Sequence, residues 1–344
     1  MRIAYWTTAC LAPEIEAISK EVFDLAAQFR DSRVFAVSPH LSVTISRGTR
    51  AVGFHPRFGP LLRAVFPLIE RAAAVNHIYA EVAPWLFFKA LRRRPIVLTV
   101  ASEKGDPVPE FLSRCRIIAA QTEAMASRLI AWGVERRRVR LIYPGVDLTR
   151  FTAREHWSPA RRTSVLFATF PRSSQELPGR GVLLLLETAR RYAEIDFSIV
   201  TRPWGAGDTA QAAVQEQIRA LGLTNVRLLQ GTQHRMDELY RRHDFTVIPY
   251  TVADGGKECP RSLIEALACG VPVLISEIAP LAAFVGVHDC GRVICPTPQG
   301  LAAAVEQGLL AHRELSSNAA RAARAHFDLR STLREYGSIY DELA

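Results

Sequence analysis

The chain is poor in lysine. Only Lys20, Lys89, Lys104 and Lys257 occur among its 43 basic residues, so nearly all of its positive charge is arginine. Its six cysteines, at 10, 115, 259, 269, 290 and 295, form no Cys-x-x-Cys pair and have no zinc-ligand spacing. That excludes a zinc ribbon or dithiol redox motif and points to reduced thiols in a cytoplasmic protein. No segment approaches the ~18 uninterrupted apolar residues of a membrane span. Met1–Ile15 carries Arg2 and Glu14 and lacks an apolar stretch long enough for a secretory signal. No Gly-x-Gly-x-x-Gly follows the first strand-like run, which disfavours a simple nicotinamide dehydrogenase. No Asp-x-Asp is present to hold a metal ion, and neither a metal nor a cofactor is expected.

The remaining composition, 49% hydrophobic and 22% charged, is that of a folded globular protein, and 344 residues suggest two domains. Charge is unevenly spread. Residues 1–150 hold 22 Lys and Arg against 13 Asp and Glu, whereas residues 151–344 hold 21 of each. The excess either favours an anionic partner, such as phospholipid head groups or a phosphorylated acceptor, or serves solubility. No recognised motif supports nucleic-acid binding.

Strand-like runs at Arg2–Thr8, Arg33–Val37, His77–Ala80, Ile96–Ala101, Arg116–Ala120 and Val139–Tyr143 alternate with helical periodicity at Glu14–Arg30, Leu61–Ala74, Pro84–Leu91 and Thr122–Trp132. After a polar break at Asp147–Thr163 the pattern restarts: strands Ser164–Phe170, Asp196–Thr201, Val226–Leu229 and Phe245–Pro249, with helices Gly181–Tyr192, Gln211–Leu221 and Met236–Arg242 between them. Such alternation predicts two doubly wound α/β domains, mainly parallel, with a cleft between them as the default site. The expected boundaries are 1–147 and 148–325, with a terminal helix over 326–344 that either stays with the second domain or packs back on the first.

The most informative stretch is Asp254–Ser276, DGGKECPRSLIEALACGVPVLIS. It reads as a polar loop, a short helix and a buried strand. Pro260 suits the first helical position, Gly270 sits where a helix stops, and Pro272 blocks continuation. The helix then begins with unpaired N–H groups near Arg261, Ser262 and Leu263, which together with its dipole favour an anion. Glu265 lies one turn on and on the same face. An anion site with a carboxylate beyond it suits a nucleoside diphosphate, the carboxylate accepting from ribose hydroxyls.

These pieces resemble the retaining glycosyltransferases of family 4, which have the GT-B fold of two facing Rossmann-like domains. LIYPGVDLTRF at 141–151 resembles the family's interdomain signature, and Asp254–Ser276 resembles its donor motif, E-x7-E followed by A-x-A-x-G-x-P-V. Thr122-Glu123 resembles the Ser-Glu that often begins a helix at that point. The resemblance implies a nucleotide-sugar donor, a UDP- or GDP-sugar, held by the second domain and transferred with retention to an acceptor hydroxyl. Glu265 would hold the ribose, and Pro260, Arg261, Ser262 and Leu263 would lie at the diphosphate. Arg180 in GRGVLLLLETA lies where the family places the Lys that neutralises the leaving phosphate, and Arg172 is the match to its partner Arg.

The sequence also departs from the pattern. Eight positions before Glu265 stands Lys257, with Glu258 one position too close, where the family has the Glu that contacts the donor sugar. Lys257 beside a diphosphate is chemically sensible. The Gly-rich loop after the first strand is replaced by Cys10–Glu16, and the His after the fourth strand by Ala101-Ser102. Glu16, Ser102 and Glu103 are the remaining acceptor-side candidates, while His77, alone in an apolar run, reads as structural. His55–Val75 is either an amphipathic membrane-contact helix or a helix packed on its own sheet, and a lipid-linked acceptor in envelope or polysaccharide synthesis would fit the former. Two other readings fit the same motifs: a nucleotide-sugar epimerase of the same fold, and a non-catalytic member that binds a nucleotide-sugar or a partner protein.

Overall fold

The computed structural model describes the chain except residues 10–15, 30, 39–40, 47, 56, 58, 83–90, 103–104, 159–161, 203–208 and 254, and the side chains of 59–63. The expected helix over Pro84–Leu91 and the loop from Cys10 therefore lie largely outside the described residues. Two compact units result. The first comprises Met1–Gly145 with Arg330–Ala344, and the second Val146–Leu329. The second unit runs from Val146 to Leu329, wider than 148–325, because the two crossing segments pair: the Val146 N–H donates to the Phe327 carbonyl at 2.8 Å and the Leu329 N–H to the Val146 carbonyl at 3.1 Å.

The first unit contains β1 (Ile3–Thr7), β2 (Arg33–Val37), β3 (Ser42–Ser46), β4 (Thr49–Phe54), β5 (Val75–Glu81), β6 (Ile96–Ser102), β7 (Ile117–Ala120) and β8 (Val139–Leu141). Their order is β3-β4-β2-β1-β5-β6-β7-β8, and every neighbouring pair is parallel except β3–β4. The β3–β4 hairpin is absent from the strand pattern expected above. The central strands are buried on both faces, which is why they read as continuous apolar runs. One face of this sheet packs around Trp6, Phe35, Phe54 and Phe66, and the other around Tyr5, Phe23, Tyr79 and Ile117.

The terminal helix Leu329–Leu343 lies on that second face and belongs to the first unit. Its Tyr340 hydroxyl meets His77 Nδ1 at 2.5 Å, His77 Nε2 meets Thr99 Oγ1 at 2.7 Å, and Thr99 meets the Tyr336 hydroxyl at 2.8 Å. His77 is wholly buried, and burial pushes its pKa down to about 3, so the ring is neutral. It is a structural residue inside a satisfied polar network.

The second unit holds β9 (Thr163–Phe167), β10 (Ile195–Val200), β11 (Val226–Leu229), β12 (Phe245–Ile248), β13 (Val273–Ser276) and β14 (Gly291–Ile294), all parallel, in the order β11-β10-β9-β12-β13-β14. Connections leave β9 toward one side and β12 toward the other, so the strand order reverses between them, which is where doubly wound sheets bind ligands. Among the described residues, no helix is long and apolar enough to cross a membrane.

Candidate functional site

The carboxyl ends of β9 and β12 gather most of the residues expected at a donor site. Beyond β9, the chain turns at Pro178–Gly181 into the helix Val182–Arg191. Gly181 has φ of 79°, and a Cβ there would run into the Pro249 carbonyl, so only glycine lets this turn press against the end of β12. Two further bonds hold it: the Thr251 N–H donates to the Gly179 carbonyl at 3.0 Å and the Thr251 hydroxyl to the Pro178 carbonyl at 2.7 Å. Arg180 is thereby placed with its guanidinium carbon 5.6 Å from the centre of the Tyr250 ring. Gly256 completes the contact, because a Cβ at that position would strike both the Tyr250 hydroxyl and Arg180. Burial pushes the Tyr250 hydroxyl up, and the Arg180 charge pulls it the other way. Arg180 and the half-buried Lys257, distant in sequence, thus belong to adjoining loops.

Past Lys257 the chain buries Glu258 and Cys259 and enters the helix Arg261–Ala268, every residue of which is buried. Pro260 is the N-cap, with φ −63° and ψ 126°, rather than the first helical residue. Its extended ψ turns its carbonyl into the first turn, where it accepts the Leu263 N–H at 3.0 Å. The expectation of a free N–H at Leu263 is therefore corrected, and the anion-facing end narrows to Arg261 and Ser262. The Ser262 hydroxyl is buried with no hydrogen-bond partner among the described residues, a group that a bound oxyanion would satisfy.

Glu265 lies one turn deeper. Arg261 Nε donates to its Oε1 at 3.0 Å, both side chains being 8% exposed, and the Tyr240 hydroxyl donates to Oε2 at 3.2 Å. These two bonds orient the Glu265 carboxylate, which has about four acceptor positions. Tyr240 comes from the helix Met236–Arg241. Arg202, not singled out from the sequence, lies just past β10, donates to the Ala168 carbonyl at 3.2 Å, and acts electrostatically on both Tyr240 and Tyr250. Its signal was an Arg directly after an apolar strand. Arg172 is exposed, with its N–H 3.4 Å from Glu176 Oε2.

The first unit's candidates are dispersed. Glu16 is the N-cap of the helix Ala17–Gln28, its carboxylate accepting the Ser19 N–H at 2.5 Å. Ser102 ends β6, and Glu103 lies outside the described residues. At the switch point between β1 and β5, Thr8 donates to Glu81 Oε2 at 2.6 Å, a pair sequence reading missed. The helix Gly59–Arg71 packs on its own sheet through Phe66, 4.6 Å from the Trp6 ring centre. Among the described residues no cluster of three or more His, Cys, Asp or Glu could hold a metal ion.

Comparison with known proteins meets this geometry at the second unit. Residues 170–310 match the family model described as Glycosyl transferases group 1. The chain is 29% identical over 263 residues to a D-inositol 3-phosphate glycosyltransferase of Geodermatophilus obscurus, covering 67% of this chain and 56% of that protein. To a D-inositol 3-phosphate glycosyltransferase of Catenulispora acidiphila it is 29% identical over 242 residues, 65% of this chain and 55% of that one. It thus spans a little over half the length of these curated relatives. Among solved structures, the sucrose-phosphate synthase of Thermosynechococcus elongatus superposes with a TM-score of 0.79 at 17% identity, over 99% of this chain and 98% of the other. Anabaena HepE in complex with UDP-glucose superposes with a TM-score of 0.77 at 19% identity, over all of both chains. The fold is the two-domain, Rossmann-like GT-B fold.

Proposed function

We propose that this protein is a retaining glycosyltransferase of the hexosyl type, taking a UDP- or GDP-sugar as donor. The observation that carries the proposal is the Arg180–Tyr250–Gly256 cluster at the switch point of the second sheet. It adjoins a helix start with an unsatisfied Ser262 hydroxyl and a preoriented Glu265. Glu265 accepts from the ribose hydroxyls, Ser262 and the first N–H groups of its helix meet the diphosphate, and Arg180 with Lys257 neutralises the charge that grows as the sugar departs. The bond from the anomeric carbon to the diphosphate oxygen breaks, and a bond from the same face of that carbon to the acceptor oxygen forms. The acceptor proton passes to the departing diphosphate. The protein's work is placement and charge stabilisation, which needs no metal ion.

The acceptor is a hydroxyl on a lipid-linked or cell-envelope precursor, reached at the cytoplasmic membrane face through the basic first unit. The match to group 1 glycosyl transferases and the likeness to a protein crystallised with UDP-glucose support the donor side of this reading. Calorimetric titration with UDP, GDP and ADP tests it. One nucleotide binds, and Glu265→Ala weakens or abolishes that binding; binding of none overturns the donor assignment. Product stereochemistry, read by NMR with the matched sugar, tests retention.

A further inference from the structure

The outer end of the first sheet is built inside out. Along β3, the residues turned toward solvent are Val43 and Ile45, 70% and 68% exposed, with Leu41 just before them at 74%, while Ser42, Thr44 and Ser46 take the more buried positions. Register shows which face this is. Trp6, Phe35, Val52 and Val43 are successive partners across β1, β2, β4 and β3, and so point the same way. Trp6 and Phe35 are 0% and 6% exposed beneath the helix Gly59–Arg71. The apolar face is therefore wider than the helix that covers it, and its last strand emerges bare.

The neighbouring row of the same face is basic. Ala4, Arg33, Arg50 and Ile45 are partners across the same four strands. Arg33 and Arg50, with Arg2, line a hollow of about 490 Å³ at the amino edge of the sheet, which the end of the helix Ala17–Gln28 closes from the other face and which Asp31 also lines. None of these three arginines has an ion pair among the described residues. Arg2 and Arg33 also border a second, apolar hollow of about 220 Å³, walled by Phe35, Ile69 and the exposed Leu68. An aliphatic stripe beside arginines that make no ion pair among the described residues, on the half of the chain that carries all the excess positive charge, is complementary to an anionic lipid surface: apolar side chains enter the acyl boundary and guanidinium groups meet phosphates. A second copy of the chain is disfavoured as occupant, because a self-complementary contact here would bring two arginine rows together.

We infer that the β3 stripe and the Arg2–Arg33–Arg50 hollow form the surface by which this protein docks on an anionic phospholipid bilayer. The inference deepens the reading above, in which the acceptor is lipid-borne, and moves the membrane contact from the helix within 55–75 to the hairpin beside it. Leu41 stands opposite Phe54, the last residue of β4, so the stripe runs from the arginines toward the carboxyl edge of the sheet.

Flotation with the full chain tests this, using vesicles of phosphatidylglycerol and phosphatidylcholine in equal parts against phosphatidylcholine alone. The protein floats with the first and not the second. Arg33→Gln/Arg50→Gln weakens binding roughly fivefold per charge removed, and Val43→Ser/Ile45→Ser weakens it independently. Nucleotide binding is unchanged in both variants, which separates failure here from failure of the donor assignment, and an unchanged melting curve reports that the first unit still folds. Absence of flotation on the anionic vesicles, or variants that float like the parent, would overturn the inference. So would a dimer in solution that Val43→Ser/Ile45→Ser dissociates, or saturable binding of inorganic phosphate without flotation.

Discussion

The two sheets share one plan and put their buried polar groups in different places. In the second unit one such cluster stands at the carboxyl edge: Arg261, Glu265 and Tyr240 are buried together just past the strands, and Arg180 leans on buried Tyr250. In the first unit one buried polar cluster, His77 with Thr99, Tyr336 and Tyr340, sits midway along β5 and β6, where its members satisfy one another. Buried polarity at a strand end can meet a ligand; buried polarity in mid-strand specifies packing.

The largest effect expected from breaking this contrast is at Arg180. Arg180→Ala lowers kcat by about 10²–10³-fold, as loss of one charge-stabilising donor does, with thermal stability little changed; Arg180→Lys recovers part of it. Steady-state kinetics and a melting curve together check this, and wild-type turnover would remove Arg180 from the leaving-group role.

Glu265→Ala acts on both sides of the comparison. It removes the ribose acceptor and strands Arg261 in a buried site, so nucleotide binding is lost and stability falls by about 3 kcal/mol. Denaturant unfolding measures the second part, and an unchanged midpoint would show that Arg261 relaxes to solvent. In the first unit, Tyr340→Phe costs about 1–2 kcal/mol by leaving His77 Nδ1 unsatisfied, yet leaves the affinity for nucleotide as it was. Altered affinity would mean that the mid-strand network reaches the donor site.

Acid gives the most general effect, since it acts on a buried histidine in each unit. Burial holds His77 near a pKa of about 3 and His312, stacked 3.8 Å from the Trp157 ring, near about 4, both below the ordinary 6.5. The unfolded chain therefore binds these protons first. Stability falls as pH drops below 6.5, by at most about 1.4 kcal/mol per pH unit for each histidine, until their folded pKa values are passed. Melting temperatures between pH 7 and pH 4 read the slope, and His77→Gln reduces it.

Much of this was legible in the sequence where the signal was local. Alternating strands and helices, the helix stop at Gly270 and the register of Arg261 with Glu265 follow from near neighbours. The β3–β4 hairpin was missed because Ser-Val-Thr-Ile-Ser shows the strand period with its apolar set facing water, the reverse of what burial dictates. Pro260 reads equally well as cap or first helical residue until its ψ is known. Arg202, Tyr250 and the Thr8–Glu81 pair were out of reach because distant segments assemble them, and a carboxylate such as Glu16 gives no sign from composition whether it serves a substrate or its own helix.

The terminal helix carries a consequence for synthesis. Tyr336, Ile339 and Tyr340 close one face of a sheet whose first strand begins at Ile3. The unit that holds β1 is therefore completed after the other, since its core waits for Arg330–Ala344, while Val146–Leu329 is already entire. Until the helix Leu329–Leu343 is made, that face is open, and a ribosome stalled within it would hold a finished second unit joined to an unfinished, aggregation-prone first one.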